Sequence, residues 1–578
     1  MKGGRFTPWL LASVAAISFF ANLGGARLWD RDEPRNAGCA VEMLQANDWI
    51  TPRFNAEVRS HKPVLLYWLM MTSYAVLGVS EFSARFFSAA LSVVGVLLTY
   101  DMGRRLLNRE AAFWGALALA TSLMFAMAAR IATPDALLIF TVTLAMWTYV
   151  WGVGDWSDPE TKYYPQSWWK LTLLYGAMGL AMLAKGPIGL VLPTAIIGMF
   201  LLIQRLPEET ATGWRRWLTP LRPFAPLHFL KTVWFMRPLL ALAAALVVAL
   251  PWYLWVAVRE FAWIRGFFWE HNLGRATAAM EGHQGPFIFY IVAICIGFFP
   301  WSIFFVPTIL DLTAQIRRRA KEMPGLIFLA CWCCVWITLF TIAKTKLPSY
   351  VTPCYPALAL LVGATLARFV SGETEVSRRW NFAGFAISIV VGLGFLIGAP
   401  LALDQVIPGE AILAIVGIAP LVGGIAAIYF SSRNQTGVGL GVYGGASLAF
   451  VLLLFAFAAQ RVDRHQLNES IITILRDSSD EELFAYNALE PSWIFYSGRS
   501  IQEIQGDEQL LQQEIAASPA PLIVTTRGQY EMLSDQTRKQ LPVVESVPYF
   551  LRKEELIVIA PSDSPLAKMA ALRNSDAR

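Results

Sequence analysis

Charge is scarce in this sequence. Lys, Arg, Asp and Glu make up only 15% of its 578 residues, against 56% hydrophobic and 13% aromatic, and the mean hydropathy is +0.48. A soluble chain of this size needs more charge to cover its surface, so that class is excluded and a polytopic membrane protein is implied. The net charge is a modest +5. Its Lys and Arg residues fall in short runs between apolar segments, which marks them as topology signals rather than a nucleic-acid footprint. Cysteine is sparse as well, at six. Cys331, Cys333 and Cys334 share one apolar run and Cys295 sits in another, which suits packing better than disulfides or a metal cluster. Neither a fixed-period repeat nor a low-complexity segment occurs, and no Gly-rich phosphate loop of the Walker type points to direct nucleotide use.

What is abundant is apolar runs of membrane-spanning length. Pro8 to Leu23, behind Lys2 and Arg5, reads as a first span, with a cleaved signal peptide as the alternative. Further spans of about 20 residues are expected near 82–103, 111–129, 136–153, 170–184, 187–203, 238–257, 286–309, 325–342, 350–370, 381–398, 410–430 and 438–459, about thirteen helices in all. Pro63 to Val79 is apolar enough to be another, and counting it would invert every later loop. The positive-inside rule decides: without it, Arg104, Arg105, Arg205, Arg222, Lys231, Arg237, Arg317, Arg318, Arg378 and Arg379 share the cytoplasmic side. Pro63 to Val79 is therefore read as a helix lying at the outer interface. The same parity puts Asp32, Asp135, Lys185, His271 and Lys346 on the outer face.

Beyond residue 460 the composition turns polar. Strand-like runs at Leu483–Tyr486, Trp493–Tyr496, Leu522–Thr525 and Leu556–Ala560 alternate with helix-like segments such as Glu508–Ala516. Two units follow: residues 1–460, a membrane domain with a long outer loop at 24–81, and residues 461–578, a small α/β domain that an odd number of spans places outside.

The candidate site residues gather at the outer ends of spans. Asp32 and Glu33 open a helical segment, and an acidic helix start favoured by the backbone dipole is the structural alternative. The functional reading is a carboxylate that accepts or orients the proton of an acceptor hydroxyl as it attacks a sugar. Asp135, behind Thr133 and Pro134, is locally explicable as a helix cap, yet two outer acidic sites are what a sugar transferase can use. Lys62, Lys185, Arg275 and Lys346 each stand at a Pro, Gly or aromatic break. Snorkelling to the interface would explain such residues, but a lipid-linked phosphate leaving group needs cations; Lys62 and Lys346 come first for that role, then Lys185 and Arg275. Among aromatics only Tyr350 is singled out. His271 could meet His61 or a carboxylate at a metal, but the spacing matches no compact metal motif, so a structural or substrate-contacting role is preferred and metal use stays open.

Asp32-Glu33-Pro34-Arg35, Lys62-Pro63 running into Leu66-Tyr67-Trp68, Thr133-Pro134-Asp135, Ala184-Lys185-Gly186-Pro187, His271-Asn272 with Arg275, and Lys346-Leu347-Pro348-Ser349-Tyr350 together resemble the bacterial aminoarabinose lipid A transferases. More broadly they resemble the dolichyl-phosphate-mannose protein mannosyltransferase-like superfamily of GT-C integral membrane glycosyltransferases. The resemblance implies an inverting transferase on the periplasmic side of the inner membrane, with a polyprenyl-phosphate-linked sugar as donor and an envelope acceptor, a lipid A-like glycolipid being favoured. It makes Asp32 the catalytic candidate, Asp135 a second active-site carboxylate and Lys62 a contact of the carrier phosphate, with Glu33 and Arg35 among the substrate ligands. The aminoarabinose branch tends to carry Glu before the Lys-Pro step, a second Pro after it and an aromatic after the loop Arg; His61, Val64 and Asn36 stand here instead. Alternatives are the same fold acting on a protein or another glycan, and a lipid or solute transporter. A transporter predicts ionisable groups deep within helices and related halves, whereas the notable charges here lie at helix ends.

Overall fold

In the computed structural model the described residues are 6–29, 31–158, 160–206, 221–274, 285–318, 323–374, 376–466, 469–550 and 552–576. Long apolar helices dominate up to Asp463, and a small mixed sheet follows. Among the described residues, eight helices are long and apolar enough to cross a membrane, and ten with two bent pairs each taken as one span. Helices also stand at the remaining expected positions: Thr7–Phe20, Trp168–Lys185 and Ile188–Gln204.

The bent pairs depart from the straight spans expected near 111–129 and 286–309. Arg109–Ala120 and Leu123–Arg130 meet at 59°, and Phe289–Gly297 and Trp301–Arg318 at 115°. The first break lies where Thr121 and Ser122 turn their hydroxyls back onto the carbonyls of Leu117 and Leu119, at 2.8 and 3.1 Å, competing with the helical ladder. The second lies at Pro300, which cannot donate to it. The breaks are tied together: the Leu123 amide donates to Phe299 O at 3.0 Å and Trp301 Nε1 to Thr121 Oγ1 at 2.8 Å. Elsewhere helices touch backbone to backbone. A Cβ on Gly363 would collide with the Ala111 carbonyl and the backbone of Gly115, so Arg109–Ala120 and Tyr355–Ser371 close on small residues, as apolar helices in lipid do.

Pro63 to Val79 contains the 13-residue helix Leu65–Leu77. Both its ends meet the same layer. At its start Trp68 Nε1 donates to Trp49 O at 2.7 Å; just beyond its end Glu81 accepts from Tyr496 of the C-terminal sheet unit at 3.0 Å. At 13 residues it is shorter than the helices of membrane-crossing length.

The loop before it carries a hairpin, β1 (Arg53–Phe54) with β2 (Glu57–Val58), turning on Asn55 and Ala56 at φ 59° and 63°. The C-terminal sheet comprises β3 (Glu482–Tyr486), β4 (Gln502–Ile504), β5 (Pro521–Thr526), β6 (Val543–Pro548) and β7 (Glu555–Ile559), in the order β4-β3-β5-β7-β6. β3 runs parallel to β4 and β5, while β7 is antiparallel to both of its neighbours. Alternate residues feed two cores: Leu483, Leu522, Val524 and Val558 pack with Ile471 and Trp493 on one face, and Phe484, Ile523 and Ile557 with Leu511 and Tyr530 on the other. Trp493–Tyr496 is not the expected strand but part of the helix Pro491–Ser497. Pro491 starts it and Gly498, at φ +69°, stops it, the Pro-first, Gly-last grammar of a short helix. The sheet unit docks on the outer loop: Asn55 exchanges hydrogen bonds of 2.7 and 2.8 Å with Ile501, and Phe54 packs against its core.

Candidate active site

The helix Asp32–Gln45 begins with two carboxylates, favoured there by the dipole, and the fold treats them oppositely. Asp32 is exposed. Glu33 is buried, 1% exposed, and accepts from Arg85 Nε at 2.9 Å, Arg85 Nη2 at 2.8 Å, the Trp29 amide at 2.7 Å and the Ala132 amide at 2.6 Å. With both oxygens engaged by protein donors, Glu33 is not the substrate ligand expected from its position beside Asp32. It pins the first-loop helix to the turn leading into Asp135. Arg85 completes the joint by donating to the carbonyls of Leu23, Ala26 and Arg27 at 2.8–3.0 Å.

One turn on, Asn36 donates to Ala132 O at 3.1 Å and accepts from Arg59 Nη2 at 3.3 Å. Arg59 is itself buried, bonded to Tyr67 Oη at 3.2 Å, and near enough to Asp32 for their charges to interact. Asn36 thus joins three stretches: the helix of Asp32, the turn before Asp135, and the segment that runs from Arg59 into His61 and Lys62.

Thr133-Pro134 starts the helix Pro134–Val153, placing Asp135 in its first turn. Lys185 ends the helix Trp168–Lys185 because Gly186, at φ +83°, breaks it, and its ammonium donates to Asp135 Oδ1. Lys185 Nζ also lies 5.1 Å from the Tyr350 ring centroid, within cation–π range. Lys62 acts electrostatically on Asp135 as well.

Beside this cluster opens a cavity of about 330 Å³, whose polar wall is His61, Lys62, Lys185, His271, Thr345 and Tyr350, and whose apolar wall includes Leu138, Ile188, Phe267 and Phe340. Among the described residues, Lys62 and Lys185 are its permanently charged wall groups, so the cavity suits an anion joined to an apolar body. The rings of His61 and His271, 210 residues apart in sequence, lie 4.0 Å apart at a 31° tilt. Among the described residues no three His, Cys, Asp or Glu side chains group as metal ligands.

Lys346 does not share this wall. It is buried, donates to Thr341 O at 2.8 Å, and lies 5.7 Å from the Tyr290 ring centroid, whereas Lys185 lines the cavity. Arg35 is half-buried on the first-loop helix. Arg275 lies outside the described residues. Arg85 and Arg59 went unnoticed in the sequence, and Asn36 stood out only as a departure from the aminoarabinose branch. A signal existed for Arg85, an ionisable residue inside an otherwise apolar run.

Comparison with known proteins follows the same outline. The family described as dolichyl-phosphate-mannose-protein mannosyltransferase matches residues 61–219. An undecaprenyl phosphate-alpha-4-amino-4-deoxy-L-arabinose arabinosyl transferase of Pectobacterium atrosepticum is 30% identical over 438 residues, 74% of this chain and 71% of that protein. The protein so named from Pseudomonas aeruginosa is 30% identical over 397 residues, 68% of this chain and 66% of that relative, so the match spans about two thirds of its length. The crystal structure of ArnT from Cupriavidus metallidurans bound to undecaprenyl phosphate shares the fold, with a TM-score of 0.74, covering 98% of this chain and 99% of that one at 22% identity. The Archaeoglobus fulgidus oligosaccharyltransferase shares it more distantly, at a TM-score of 0.51 and 11% identity over 90% of this chain and 69% of that one.

Proposed function

The chain belongs to the family of the undecaprenyl phosphate-aminoarabinose arabinosyl transferases, and on that premise we propose that it moves a sugar from a polyprenyl phosphate to an envelope acceptor, a lipid A-like glycolipid being favoured, on the periplasmic face of the inner membrane. The observation that carries this is the cavity whose charged wall is Lys62 and Lys185, set among apolar helix ends. A carrier phosphate fits the lysines and its isoprenoid chain fits the apolar wall.

In the reaction, an acceptor oxygen attacks the anomeric carbon from the face opposite the carrier. The new glycosidic bond forms as the bond from the anomeric carbon to the phosphate oxygen breaks, and the polyprenyl phosphate leaves with the electron pair. Lys62 and Lys185 stabilise the charge growing on that phosphate, worth most in a water-poor cavity. Asp32 takes the proton of a hydroxyl acceptor; with a phosphate acceptor there is little proton to take, and Asp32 orients it instead. Asp135 holds Lys185 in place. His61, which departs from the aminoarabinose branch and lines the cavity, favours a donor sugar that differs in the groups it presents there.

The test is mass spectrometry of lipid-linked sugars and envelope glycolipids from a deletion strain complemented with wild type or with Asp32→Asn. Accumulation of a polyprenyl-phosphate sugar, loss of that sugar from an acceptor, and restoration only by wild type are expected. Full restoration by Asp32→Asn removes Asp32 from the mechanism, and no change in either pool removes the transferase reading. Reporter fusions at Arg378 and Glu482 should report opposite sides; a shared side overturns the orientation.

A further inference from the structure

A second cavity, a groove of about 540 Å³, runs along the helix Ile188–Gln204. Leu190, Thr194, Gly198 and Leu202 line it turn after turn, so it follows the helix for about 18 Å at 1.5 Å per residue. Helix Pro226–Phe235 contributes Phe229, Thr232 and Val233 to the opposite wall. The catalytic cavity meets this same helix at Ile188, the end away from Arg205.

Three cations gather at the Arg205 end. The Arg205 guanidinium lies 3.7 Å from the Phe235 ring centroid, Lys231 is exposed on the helix Pro226–Phe235, and the Arg237 guanidinium lies 5.1 Å from the Trp168 ring centroid. Among the described residues no carboxylate pairs with any of the three. Arg237 Nη1 is buried without a hydrogen-bond partner, and so is the hydroxyl of Thr232, a residue 1% exposed in the groove's wall. Buried donors left unmet are costly, and an acceptor bearing several oxygens and negative charge removes that cost. Basic pockets between membrane helices suit anionic lipid headgroups for this reason.

We infer that the groove is a binding site for an anionic glycerophospholipid, with its phosphate against Arg237 and Lys231 and an acyl chain along Leu202, Gly198 and Thr194. In the orientation proposed above, this lipid comes from the cytoplasmic leaflet. It is distinct from the sugar carrier, since the cations at this end stand at the far end of the helix Ile188–Gln204 from Lys62 and Lys185. The site stands whether or not sugar transfer is the activity.

Native mass spectrometry of the purified full chain, given equal phosphatidylglycerol and phosphatidylcholine, tests it. Wild type should retain phosphatidylglycerol at least about tenfold over phosphatidylcholine, two cations at about fivefold each allowing that ratio. Lys231→Gln, at an exposed position where folding is not at stake, should lose about fivefold, and Arg237→Gln about as much again. Thr194→Trp, which fills the groove and leaves the cations intact, should also lose the lipid. Arg378→Gln, removing a charge elsewhere on the cytoplasmic side, should change nothing. Equal retention of the two lipids, unchanged retention in the Lys231→Gln/Arg237→Gln double variant, an equal loss in Arg378→Gln, or displacement of phosphatidylglycerol by undecaprenyl phosphate overturns the assignment, the last by giving the groove to the carrier.

Discussion

Replacing Glu33 by Ala should unfold the outer layer of this protein far more readily than replacing its neighbour Asp32. Glu33→Ala removes the acceptor of four hydrogen bonds, two from Arg85 and one each from the Trp29 and Ala132 amides. It leaves the Arg85 guanidinium buried without its counter-charge. Breaking a buried pair by removing one partner costs about 3–5 kcal/mol, and each buried amide left without an acceptor adds about 1–3 kcal/mol where relaxation does not find another. Asp32→Ala removes an exposed carboxylate, so its effect on stability should stay within about 0.5 kcal/mol. The two variants differ by one position and by at least about 2.5 kcal/mol, taking the low end of the first range and the top of the second. Thermal unfolding in detergent, followed by size-exclusion chromatography, measures this as an ordering of midpoints. Adding Arg85→Met to Glu33→Ala should cost less than the sum of the single changes, because the stranded charge is gone. Equal midpoints for Glu33→Ala and Asp32→Ala, or an additive double variant, would refute the reasoning. Activity should divide the other way: Asp32→Asn should lose turnover by at least about a hundredfold with stability unchanged.

Other consequences can be checked separately. Lys185→Gln and Asp135→Asn should each lower turnover by about 10²-fold, and the double variant should lose little more than either, since each group positions the other; multiplicative losses in a transfer assay would show that they act independently. Burial pushes the Cys39 thiol up to about 12 from 9.0, so it stays neutral and should resist maleimide at pH 8 until the chain is unfolded, with rapid labelling of the native protein as the contrary result. By the same linkage its contribution to stability is complete below pH 9, where the unfolded thiol keeps its proton too, and is lost as pH rises from there to about 12. Asn55→Ala breaks both hydrogen bonds to Ile501 and should weaken docking of the sheet unit by about 2 kcal/mol. Limited proteolysis between residues 464 and 480 should then speed up, and an unchanged cleavage rate would show that the remaining contacts, Phe54 and the Tyr496–Glu81 hydrogen bond among them, hold the unit.

The local pattern of this sequence was enough to place its long apolar helices and three of the five strands of its C-terminal sheet. A run of about 20 apolar residues has few options in lipid other than a helix, because its backbone groups must pair within the segment. Lys185 at a helix end followed by Gly186, Pro134 opening the helix of Asp135, and strands at Leu483, Leu522 and Leu556 were legible for the same reason: each depends on neighbours a few residues away. Even the misread Trp493 segment had its answer nearby, in Pro491 and Gly498. The partners of the charged residues were settled at longer range. Asp32 and Glu33 are neighbours in sequence, yet only the arrival of Arg85, 52 positions on, and of the Ala132 amide makes one of them structural and leaves the other exposed. Lys185 and Lys346 looked alike until folding gave the first to Asp135 and the cavity and the second to the Thr341 carbonyl. His61 and His271 met only once the first loop had folded against the segment following Phe261. Periodicity records which face of an element is apolar; it does not record which partner a polar group will find across the molecule, and only the tertiary structure supplies that partner.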